Sequence, residues 1–133
     1  MGMYTELVMA CELDKASDKD ANILYRMIDG CDREEPGLPE HRLFSTTRWH
    51  YMLQSDSYYF VGKTMSDIFF DHIAKHHILT VRCNLKNYDY EIEEFCNWVR
   101  TLTSNRGFVG YMRYESAENP TLIYFTDMGV EYR

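Results

Sequence analysis

Between Met3 and Leu13, Leu7, Met9, Cys11 and Leu13 alternate with Glu6, Val8, Ala10 and Glu12. This period of two predicts a half-buried strand with its odd residues facing the core. The period then lengthens. Ala21, Leu24, Met27 and Ile28 recur at helical spacing, Ser17 and Asp20 stand close to a capping box, and Gly30 terminates the run, predicting a helix over 18–29. The stretch 31–47 lacks periodicity and holds Pro36 and Pro39 around Gly37, so a surface loop is expected, anchored by Leu38, Leu43 and Phe44. From Arg48 onward aromatic and β-branched residues are broken by short polar turns: Trp49 to Leu53, Tyr58 to Val61 and Ser66 to Asp71. An antiparallel meander is the expectation there.

His77, Leu79, Val81, Cys83 and Leu85 alternate with Ile78, Thr80, Arg82, Asn84 and Lys86, a strand with one apolar side. A hairpin through Ile73 to His76 would join it to Ile68–Asp71. Residues 65–75 also fit a helical period through Ile68, Phe69, His72 and Ile73, so hairpin and helix both stand for 63–75. A second helix is predicted over 88–102. Asn87 or Asp89 would cap it, Glu91, Glu93 and Glu94 load its first turns, and Ile92, Phe95, Cys96 and Val99 form its apolar stripe. Phe108–Tyr114 and Thr121–Thr126 predict a closing hairpin, and Asp127–Arg133 is expected to fray.

Strands joined mostly by short connections, with only two helical crossovers, exclude a doubly wound parallel fold. The expected class is α+β, a single domain over 1–133 with a mostly antiparallel sheet and two helices packed on one face. Two such helices cover one side of a broad sheet, leaving the other to water, to a partner or to a second copy.

Composition narrows the chemistry. The chain has 133 residues, 45% apolar and 26% charged, with a net charge of −7. That balance disfavours nucleic-acid binding unless the cations gather on one face. No apolar run approaches the ~20 residues of a membrane span, and the start has neither a basic nor an apolar leader segment, so no membrane association and a cytoplasmic location are expected. Cys11, Cys31, Cys83 and Cys96 form no C-x-x-C pair, and their spacing suits reduced, mostly buried thiols. No glycine-rich phosphate loop and no nucleophile motif occur, so no cofactor is expected. His72, His76 and His77 beside Asp71 invite a metal reading, but without H-E-x-x-H they read as polar turn residues. Glu34-Glu35 and Glu93-Glu94 read as solvation and capping.

Aromatic residues make up 15% of the chain, more than one sheet face and two helices need for a core. Some rings must then be exposed. Trp49, Tyr51, Tyr58, Tyr59, Tyr111 and Tyr114, interleaved with Arg48, Arg82, Arg113 and Lys86, are the candidate contact surface. Met3–Leu7 (MYTEL), Arg48–Leu53 (RWHYML) with Ser57–Phe60 (SYYF), Asn84–Asp89 (NLKNYD) and Pro120–Phe125 (PTLIYF) resemble segments of small phage, prophage and bacterial proteins of uncharacterised function. The resemblance implies a cytoplasmic accessory protein and gives no residue a role. The sequence-based expectation is a noncatalytic module that binds a protein partner or itself, through Arg48, Trp49, Tyr51, Tyr58, Tyr59, Arg82, Tyr111 and Arg113. Two alternatives stand beside it: a small-ligand enzyme using His50, Asp71 or Arg82 in a cleft beside the 31–47 loop, and a binder of single-stranded nucleic acid.

Overall fold

In the computed structural model, which describes residues 3–133, strand β1 (Tyr4–Leu13) is followed by helix α1 (Asp18–Asp29). A long segment with two short 3₁₀ turns leads to β2 (Asp67–Asp71) and β3 (His76–Lys86); then come α2 (Glu91–Arg100), β4 (Gly107–Tyr114), β5 (Thr121–Thr126) and β6 (Gly129–Tyr132). The strands form one six-stranded antiparallel sheet in the order β2-β3-β1-β4-β5-β6. β1 is central because ten alternating residues let it pair along its whole length with β3 and over five positions with β4. β3 and β4 flank β1, run parallel to each other and are joined through α2. The first six elements thus have the split β-α-β connectivity called ferredoxin-like, extended by the β5–β6 hairpin.

Both helices pack on one side. Leu7, Met9, Cys11 and Leu13 of β1, Leu79, Val81, Cys83 and Leu85 of β3, and Ile123 and Phe125 of β5 meet Ile23, Leu24 and Met27 of α1 and Ile92, Phe95, Cys96 and Val99 of α2 in a single core. The α+β class is as the sequence predicts. α1 has its predicted bounds, and its capping box joins the Ser17 side chain to the Asp20 amide and the Asp20 carboxylate to the Ser17 amide. α2 starts at Glu91 rather than 88 because Tyr90 takes a left-handed conformation (φ 58°). Asn87 Oδ1 still accepts from the Ile92 amide at 2.8 Å, while the Asp89 carboxylate turns away to the Thr47 amide.

Of the two readings for 63–75 the structure has the hairpin, Asp67–Asp71 pairing with His76–Thr80. Two expectations are corrected. The tail does not fray: β6 pairs with β5 from Ile123–Tyr132 to Thr126–Gly129. The meander over 48–61 is absent. Trp49, Met52 and Leu53 all enter the core from a segment of bends and a 3₁₀ turn, because apolar residues spaced three and four apart need a helical turn to face the same way. Tyr58–Val61 is likewise a turn, and it folds back over the sheet.

Candidate functional site

Glu6, Val8, Ala10 and Glu12 point away from the helices because their neighbours in β1 fill the core. Register places Asn84, Arg82, Thr80 and Ile78 of β3 beside them, and Arg113 and Tyr111 of β4 beside Glu6 and Val8. This open face has two halves. At the Tyr4 end it is roofed by residues 56–62. Ser55 O accepts from the Asn84 amide at 3.1 Å and the Met65 amide donates to Arg82 O at 2.9 Å, so both ends of the loop are pinned to the part of β3 that β2 does not reach. Phe60 turns inward under this roof and is 6% exposed. Tyr59 packs against Tyr4 at 5.6 Å between ring centroids, and Tyr58, 89% exposed, stacks on Tyr59.

Under the roof Glu6 is 4% exposed although it lies on the side away from the core. Arg82 and Arg113 clasp it at 4.0 and 3.7 Å. Arg82 also donates to Val61 O at 3.1 Å, and the Arg113 guanidinium lies 5.3 Å from the centre of the Phe60 ring. Gly62 makes this close passage possible. Its φ is +102°, and a Cβ there would lie 2.8 Å from Arg82 Nη2.

Beyond the roof the face opens into an apolar depression of about 460 Å³ lined by Val8, Ala10, Thr80, Phe108, Tyr111 and Met65. Phe108 reaches it from β4, where the register shifts between Phe108 and Gly110, and its ring meets Tyr124 edge-on. The floor is smooth because Ala10 and Thr80 are short. Phe108 and Met65 are 57% and 69% exposed, a large apolar area left in water.

The predicted contact residues divide between two sides of the molecule. Arg82, Tyr111 and Arg113 lie on the open face, and Tyr58 and Tyr59 on its roof. Trp49 does not belong there: it is fully buried among core residues, its ring edge-on to Phe44. Arg48 lies with it on the helix side, its amide and guanidinium bound to the buried Glu91 carboxylate at 3.0 and 3.3 Å. Tyr51 projects from the same segment against His50. These three were placed wrongly because the meander was. Glu6, Phe60, Met65 and Phe108 were missed, although the outward phase of Glu6 in β1 was readable from the alternation.

The catalytic alternative finds its three residues apart. Asp71 accepts from the amides of Ile73 and Ala74 in its own turn, which hold its carboxyl below the ordinary value, while Arg82 serves the roof. Burial, and after it Arg33, pushes the His50 imidazole below its ordinary value. No hydrogen bond or ion pair links the three among the described residues. No group of three metal-capable side chains occurs there either, and no helix is long and apolar enough to cross a membrane. Comparison with models of known families, with characterised proteins and with solved structures finds no match, so no residue gains a role by likeness.

Proposed function

We propose that the chain is a noncatalytic binding module that holds a protein partner on the open face of its sheet. One observation carries the reading: both helices lie on one side, and the other side exposes a smooth apolar depression rimmed by aromatic rings and half-exposed guanidinium groups. Rigid rings and arginines around an apolar centre are the composition of protein contact surfaces. Glu6 neutralises much of the local positive charge, which favours a protein over a phosphate chain in a molecule of net charge −7. Three buried thiols suit a reducing, intracellular setting and an accessory role there.

The test is capture from a lysate with the wild-type chain, with Ala10→Arg in the depression, and with Tyr90→Ser on the helix side as a control. A bound protein that survives nuclease treatment, stays with the control and disappears with Ala10→Arg supports the reading. The same protein held equally by Ala10→Arg overturns it.

A further inference from the structure

The two arginines of the open face have more donors than the chain uses. Arg82 gives one hydrogen bond, from Nη2 to Val61 O, and stands 4.0 Å from Glu6. Arg113 gives none among the described residues: its guanidinium stands 3.7 Å from Glu6 and 5.3 Å from the centre of the Phe60 ring. Neither approach to Glu6 is short enough for a hydrogen bond, so most N–H groups of the pair are left to water, and the side chains are 39% and 37% exposed. Two guanidinium groups also share one carboxylate, which leaves one positive charge unmatched. Around them Lys63 and Lys86 meet Asp56 and Glu115. The Tyr4 end thus carries four cations against three carboxylates, in a molecule of net charge −7.

Arg82 is at the same time a wall of the apolar depression. It neighbours Val8 in the β1–β3 register, while Thr80, two residues away on the same face, neighbours Ala10 on the floor. A guanidinium and an apolar seat therefore lie side by side, about 7 Å apart along β3.

We infer that the protein segment held on the open face presents an apolar side chain beside a carboxylate. The apolar group fills the depression, and the carboxylate takes the unbonded N–H groups of Arg82, with Arg113 next to it. The inference rests on the proposed use of the open face and names the chemistry of its partner. One carboxylate matches the one unmatched charge, and its bonds to a guanidinium are charge-assisted. A cationic segment would set like charges against Arg82 and Arg113. The separation of the two seats fits side chains two positions apart in an extended segment, or one turn apart in a helix.

Selection of random-sequence displayed peptides on the purified full chain tests the inference. Peptides that also bind Ala10→Trp, which fills the depression without changing its charge, are discarded. The remaining peptides should carry Asp or Glu at that spacing from an aromatic or aliphatic residue. In fluorescence anisotropy, changing that acid to its amide should weaken binding to the wild-type chain about tenfold, and the acid and amide forms should bind Arg82→Met alike. The wild-type comparison needs no altered protein, so it stands even where Arg82→Met fails to fold. The inference is overturned if no peptide depends on the depression, if the selected peptides are neutral or basic, or if acid and amide forms bind the wild-type chain equally. A preference for the acid that persists in folded Arg82→Met overturns it as well. Where one of these results is found and capture from lysate remains sensitive to Ala10→Arg, the carboxylate anchor is excluded and the binding surface stands.

Discussion

At the scale of single residues, the buried carboxylates set the geometry of both sides. Glu91, fully buried, accepts from the Arg48 amide, the Arg48 guanidinium and the Asp89 amide, tying the segment at Arg48 to the start of α2. Replacing it with Ala leaves these donors without a partner, and urea unfolding should show a loss of about 3 kcal/mol. Glu6 has half-exposed partners, so Glu6→Gln should cost less, about 1–2 kcal/mol, and loosen the roof. Gly110 has no tolerance at all: a Cβ would lie 2.0 Å from Val8 O and 2.6 Å from Met9 Cα, both backbone atoms of the central strand. Gly110→Ala should therefore destabilise by more than about 3 kcal/mol in the same titration. Its role was invisible in the sequence, because the close approach of β4 to β1 is a property of the pair and not of either segment. The same holds for Trp49: residue type fits a strand or a core turn equally, and only packing against Phe44, which in turn meets Trp98 edge-on, distinguishes them.

At the scale of elements, sequence periodicity was a faithful guide wherever one face was buried and the other wet. β1, β3, α1 and α2 all satisfy that condition, and their stripes, phases and caps were readable. Ser17→Ala, which removes the side-chain acceptor for the Asp20 amide, should lower stability by about 1 kcal/mol. Two elements escaped for different reasons. β6 has only four residues, Gly129–Tyr132, too few to display alternation, and depends on pairing with β5. The 48–62 segment is aromatic throughout because it serves two masters, Trp49 entering the helix-side core and Phe60 covering the open face. A composition rich in rings therefore looked like strands.

At the scale of the whole molecule, the closed core makes a prediction about pH. Burial is the main cause that raises the Cys11 thiol to about 12, and it pushes the Cys83 and Cys96 thiols further up, from an ordinary value of 9.0. Groups with raised folded-state values stabilise fully below the unfolded value. As pH rises above about 9 the unfolded chain releases these protons and the folded chain does not, so stability should fall with each further rise in pH. Urea midpoints across the alkaline range should decline, and less steeply in a chain carrying Cys83→Ala. At neutral pH a thiol reagent should find Cys31 first and the other three after unfolding.

The uncovered side of the sheet was foreseeable from the ratio of helices to strands, but the roof that divides it was not. Its closing role depends on a glycine at φ +102° and on an arginine bonded to a carbonyl 21 residues away. Hydroxyl-radical footprinting of the wild-type chain, free and in complex with the protein it captures, tests the central claim most directly. Met65, Phe108 and Tyr58 should lose reactivity together in the complex, while Met128 and Tyr90, exposed elsewhere, stay unchanged. Protection that appears at Tyr90 or Met128 and spares Met65, Phe108 and Tyr58 would contradict it.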